Sequence, residues 1–177
     1  MPAQYWESVL NAGLVGAGAA YNTSVTLTDV SAAPQLVLPA NFFVPGSKIK
    51  VTASGTISAV ATPTLLLGVY YGGVAGVALA TTGAVTLTTT ATGWAWRLEY
   101  TGEIRTTGAA GTIMGGGFCQ IGTSLTSVQV VPIPVTAQAV VAVDTTTAKA
   151  ITIGAQWGTS AAGNTLLCNQ MLVESLA

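Results

Sequence analysis

The sequence has no histidine, and only 11 of its 177 residues are charged, five basic and six acidic. Histidine is the commonest general base and a leading metal ligand. Its absence removes Ser–His and Cys–His nucleophilic pairs and imidazole metal sites. A net charge of −1 leaves no basic footprint, so nucleic acid is excluded as a partner. Cysteine is scarce: Cys119 and Cys168 stand far apart with no CxxC and no zinc spacing. They read as two buried free thiols, with a single disulfide as the alternative. Long apolar runs are missing too. The longest bland stretch, 12–21, is about half of the ~20 residues a membrane helix needs, so no membrane is expected. The first ten residues hold Glu7 and no Lys or Arg, which is not the start of a secretory signal. The expectation is a chain made and kept in a cytosol with reduced thiols.

What is present is apolar and small. Half of the residues are hydrophobic, only 7% are aromatic, and threonine, at 27, outnumbers glycine, at 21. That is the reverse of a disordered composition. A folded monomer of this mass exposes roughly 8,000 Å², or one charge per roughly 700 Å², well below an ordinary soluble surface. A skin of Thr, Ser, Asn and Gln, combined with burial against other subunits, accounts for this.

Residues 1–22 stand apart. Tyr5, Trp6, Val9 and Leu10 are spaced i, i+1, i+4, i+5, which predicts one or two helical turns within 1–11. Gly13, Gly16 and Gly18 follow as a tether. The segment reads as an arm whose four apolar residues bind a partner. A strand or coil lying on its own domain is the equal alternative. From residue 23 to 177 the pattern is β. Candidate strands are 24–30, 35–38, 48–59, 64–71, 84–88, 93–105, 111–121, 127–131, 138–143, 150–157 and 165–176. No 3.6-residue period lies between them, so crossover helices and a parallel sheet are excluded. The class is all-β, an antiparallel sandwich or barrel.

Alternation is cleanest over 94–105. Trp94, Trp96, Leu98, Tyr100 and Ile104 fall on one face; Arg97, Glu99, Thr101, Glu103 and Arg105 fall on the other. Ile49, Val51, Ala53 and Ile57 likewise alternate with Lys48, Lys50, Thr52, Ser54 and Thr56. Gly115, Gly116 and Gly117 inside a strand predict a bulge or a close backbone approach. The prolines at 132 and 134 mark an edge or a loop.

No catalytic constellation emerges. Glu99 and Glu103 share a strand face about 13 Å apart, too far for a glycosidase pair, and they alternate with Arg97 and Arg105. Cross-strand ion pairs are the expected use, and Arg97, Glu99, Glu103 and Arg105 are the candidate subunit-interface residues. Asp29 and Asp144 sit beside turns. No G-x-S-x-G is present, and the glycines near 115 lie in a strand rather than before a helix, so no phosphate loop is formed. No catalytic residue, metal or cofactor is expected. Tyr70 and Tyr71 precede Gly72-Gly73, so one tyrosine should point outward, where it could contact a glycan.

Five segments carry a resemblance: 38–49 (LPANFFVPGSKI), 62–71 (TPTLLLGVYY), 94–102 (WAWRLEYTG), 111–115 (GTIMG) and 156–165 (QWGTSAAGNT). They are spread along 36–175, and the chain resembles jelly-roll proteins on tailed-bacteriophage particles, some of them tumour-necrosis-factor-like trimers. The resemblance implies a single antiparallel jelly roll of two four-stranded sheets with a short N-terminal arm. It implies a non-enzymatic homotrimer on the capsid exterior, bound to the major capsid protein and assembled in a bacterial cytoplasm. A tail or fibre adhesin for host glycans is the alternative.

Overall fold

The computed structural model describes residues 7–12, 20–22, 24–31, 36–88, 90–123 and 126–176. Its strands are β1 (Glu7–Ala12), β2 (Tyr21–Asn22), β3 (Thr28–Asp29), β4 (Leu36–Leu38), β5 (Lys48–Ala59), β6 (Thr64–Tyr71) and β7 (Val77–Thr81). They continue as β8 (Val85–Thr86), β9 (Ala91–Thr106), β10 (Gly111–Gly122), β11 (Val128–Ile133), β12 (Val141–Val143), β13 (Lys149–Trp157) and β14 (Thr165–Leu176). Among the described residues there is no helix.

Two antiparallel sheets form. The first has eight strands in the order β1-β14-β5-β9-β10-β11, with β2 also on β14 and β12 also on β10. The second has six, β3-β13-β6-β7, with β4 also on β13 and β8 also on β6. The sheets are therefore larger than two sets of four. Short collinear pieces share a partner: β1 with β2, β3 with β4, β7 with β8. Counting each pair as one strand, and setting aside β10–β12, the first sheet reads 1-8-3-6 and the second 2-7-4-5. β10, β11 and β12 widen the first sheet beyond β9.

One apolar core lies between the sheets. Ile49, Val51, Leu98, Ile104, Ile121 and Val173 face Leu65, Leu67, Val69, Ile151, Ile153 and Trp157, all buried. Each fully buried side chain of this size contributes roughly 1.5–3 kcal/mol. The two-residue period puts them there: β5 alternates buried and half-exposed positions along its length. Trp96 is buried as expected, whereas Trp94 is only partly buried against the core edge.

Over residues 7–12 no helix forms and the strand alternative holds. Residues 7–12 are β1, paired antiparallel with β14 from Glu7↔Leu176 to Ala12↔Leu172. The register shifts between Val9 and Asn11, so the extra residue Leu10 interrupts the two-residue period. Tyr5 and Trp6 lie outside the described residues. β7, Val-Ala-Leu-Ala-Thr, lies outside the expected strands: it is a short run with no apolar–polar alternation.

The glycine run contains no bulge; the shift in that strand pair falls between Thr112 and Ile113. The close-approach expectation holds instead. A Cβ on Gly117 would overlap the Glu99 carbonyl, and one on Gly115 or Gly102 would strike the Tyr100 hydroxyl. The Tyr100 ring therefore lies across both glycines. Its hydroxyl is buried without a hydrogen-bond partner, and burial pushes its pKa up.

A second glycine serves Trp96. Between Cys168 and Gln170 the β14 register shifts against β5. Near this bulge the Leu167 carbonyl accepts a 3.0 Å hydrogen bond from the Trp96 indole N–H. Gly55 stands opposite Trp96, and a Cβ there would overlap the Leu167 carbonyl. A buried indole N–H needs an acceptor, and the bulge, the glycine and the tryptophan meet that need together.

Candidate functional site

Seven of the eleven charged residues share one surface, the outer face of the first sheet. They are Lys48 and Lys50 on β5, Arg97, Glu99, Glu103 and Arg105 on β9, and Glu174 on β14. Strand register sorts them into cross-strand rows. Leu176, Lys48, Glu103 and Met114 form one row, and Glu174, Lys50, Thr101 and Gly116 the next. Leu172, Thr52, Glu99, Phe118 and Pro132 form a third; Gln170, Ser54, Arg97, Gln120 and Val130 form a fourth. Charge is thus concentrated towards one end, with hydrogen-bonding and apolar groups at the other.

Most of these charges are internally compensated. Lys48 pairs with Glu103 at 3.9 Å and Lys50 with Glu174 at 3.5 Å, both across strands. Arg105 pairs with Glu103 at 2.9 Å and Arg97 with Glu99, both two residues apart on β9. The expected cross-strand pairing is therefore only half of the pattern. Exposed pairs of this kind contribute roughly 0–1 kcal/mol each. Glu174 is the buried member, and its Oε2 makes no hydrogen bond other than the ion-pair contact with Lys50.

Beyond the charged rows, β10 and β11 present apolar side chains to solvent. Phe118 is 36% exposed, Val128 62% and Val130 59%, with Pro132 beside them. β11 is the sheet's outer strand there, and Pro132 withholds one N–H from its edge. Exposed valines occur elsewhere too, but here they adjoin Phe118 and Pro132 along one strand pair.

The remaining candidates are dispersed. The backbone of Val9 pairs with that of Glu174, and Leu10 occupies the β1 irregularity. Tyr70 and Tyr71 are both buried, at 5% and 6%, so neither offers the expected aromatic platform. Tyr71 faces the core and donates a 3.1 Å hydrogen bond to the Asp144 carbonyl. Burial, then the Asp144 charge, pushes its phenol pKa up. Tyr70 lies over Gly154 and Gly68 on the outer face of the second sheet. Alternation sends one tyrosine of the pair outward without choosing which; Tyr70 takes that side and is buried even so.

The carboxylates beside turns serve those turns. Asp29 accepts the Ser31 N–H at 2.9 Å. Asp144 accepts from the Thr146 hydroxyl and N–H and from the Thr147 hydroxyl, which holds its pKa below the usual carboxylate value. Cys119 and Cys168 are buried thiols not joined in a disulfide, and burial pushes the Cys119 thiol up to about 12. Among the described residues no three His, Cys, Asp or Glu side chains form a metal cluster. No protein-family model matches the chain, and neither curated proteins nor solved structures include a significant match.

Proposed function

We propose that the chain is a jelly-roll virion subunit: a non-enzymatic capsid decoration protein that binds a phage head as a homotrimer. The 1-8-3-6 and 2-7-4-5 strand orders support the jelly-roll part, with β10–β12 as an addition. The observation that carries the assembly part is the exposed Phe118–Val128–Val130 strip beside a compensated ion-pair ladder, on a surface of 8395 Å² with only 11 charges. Such a surface gains by covering itself with copies of its own chain. Glu103 and Arg105, with Arg97 and Glu99 further along β9, give register to that contact. Residues 1–22 carry the shell contacts through Tyr5, Trp6, Val9 and Leu10. Each bridging contact with the major capsid protein stabilises the shell by mass action. The adhesin alternative loses its tyrosine anchor, since Tyr70 and Tyr71 are buried.

Light scattering on the purified chain should give a trimer, and purified particles should carry it at the copy number of the shell. Removing 1–22 would also strip β1 and β2 from β14, so the sharper variant is Tyr5→Ala with Trp6→Ala. It should remain trimeric and fail to decorate. A stable monomer at micromolar concentration, or full-occupancy decoration by the variant, would refute the corresponding half.

A further inference from the structure

The outer face of the first sheet also holds a groove of about 740 Å³. Its floor is a straight row of hydrogen-bonding side chains, one per strand. Gln170 on β14 stands opposite Ser54 on β5, Ser54 opposite Arg97 on β9, and Arg97 opposite Gln120 on β10. Asn169, the extra residue of the β14 bulge, joins the rim. Val128, Ala95 and Leu172 supply apolar surface. The volume lies within the ordinary range for small-molecule sites.

The row has unused capacity. Ser54 donates to Gln170 Oε1 at 3.4 Å, which leaves the Gln170 amide N–H groups to face the groove. Among the described residues the Gln120 and Asn169 side chains make no hydrogen bond within the protein. The Arg97 charge is met by Glu99, so the groove floor has no net charge to attract an ion.

We propose that this groove binds a neutral linear oligosaccharide laid across the strands. Spacing selects the ligand. The polar groups recur at the interstrand distance of about 4.8 Å, and the row from β14 to β10 spans about 14 Å. An extended peptide returns a side chain to the same face only every ~6.7 Å, out of step with the row. A pyranose with its glycosidic oxygen spans close to one interstrand gap and offers hydroxyls at every ring. Amides and a guanidinium donate to and accept from such hydroxyls, while ring C–H faces cover Ala95, Val128 and Leu172. The groove shares Arg97 and Val128 with the surface assigned above to the subunit contact, so sugar and a second copy of the chain compete for it.

The test is calorimetric titration of the full chain, in whatever oligomer it forms, with hexaoses of glucose, N-acetylglucosamine, mannose and galactose, and with a Ser/Thr/Gly hexapeptide. At least one hexaose should bind saturably at millimolar concentration or below. Gln120→Ala and Gln170→Ala should each weaken it roughly 3- to 10-fold. Gln156→Ala, on the second sheet, should leave it unchanged. Flat titrations with every sugar, sugar binding indifferent to Gln120→Ala and Gln170→Ala, or binding of the peptide alone would each overturn the proposal. Oligomeric state, measured on the same samples, reports separately on the assembly reading.

Discussion

Gly55→Ala is the substitution by which the packing of this fold is best tested. The new Cβ would overlap the Leu167 carbonyl oxygen, which belongs to the backbone of β14 and cannot rotate away like a flexible side chain. Either β14 moves from β5 or the carbonyl turns. Overpacking of this kind costs about 1–3 kcal/mol. Turning the carbonyl also breaks the 3.0 Å bond from Trp96 Nε1 and leaves a buried donor unpaired, a further ~1–3 kcal/mol. The total, about 2–6 kcal/mol, is a large fraction of the roughly 5–15 kcal/mol that holds a domain folded. At the midpoint of that range the melting temperature falls by roughly 8–16 °C. Urea unfolding at fixed protein concentration, followed by tryptophan fluorescence, measures it. Thr56→Ala, next along and on the outer face, is the control and should shift stability by less than about 0.5 kcal/mol. Trp96→Phe leaves the Leu167 carbonyl without its donor, so the double variant should be at least ~1 kcal/mol less destabilised than the two singles combined. A Gly55→Ala protein within about 0.5 kcal/mol of the parent, or strict additivity with Trp96→Phe, would refute the reasoning.

Tyr100→Phe should be neutral or stabilising by about 1 kcal/mol, because it deletes a buried hydroxyl that has no partner; marked destabilisation in urea would show a missed hydrogen bond. Thr62 is β-branched with φ of 50°, next to Ala61 at 59°. Thr62→Gly should therefore raise stability by about 0.5–1 kcal/mol in the same assay, and a loss would contradict the strain. Asp144 has a lowered native pKa, so it stabilises the fold above its unfolded value near 3.9, and that contribution is lost as pH falls through the native value. Melting curves between pH 6 and pH 2 should show the wild type losing more stability below about pH 4 than Asp144→Asn does; parallel curves would exclude the linkage.

Alternation made much of this molecule legible. β5, β6 and β14 have the limits their sequences predict: β5 alternates apolar and polar residues, and β6 and β14 are apolar-rich runs between clear breaks. The polar face of β9 was equally readable. β1 and β7 were not: one carries an irregularity that breaks the period, and the other is a short run without alternation. The groove was beyond reach for a different reason. Its floor residues are Ser54, Arg97, Gln120 and Gln170, each an ordinary outward position in its own strand.

Composition and periodicity alone determined the class of protein. Without helical period there is no α layer, without histidine there is no imidazole chemistry, and with 11 charges there is little to keep a bare surface in water. These are local or summed properties, and they survive whatever the chain does at long range. Register between distant strands is different. Gln170 meets Ser54 across 116 residues of chain, and a one-residue slip would turn either side chain to the opposite face. Which outward residues become neighbours, that both tyrosines are covered, and where Leu167 finds its donor were therefore decided only when the sheets closed over their core.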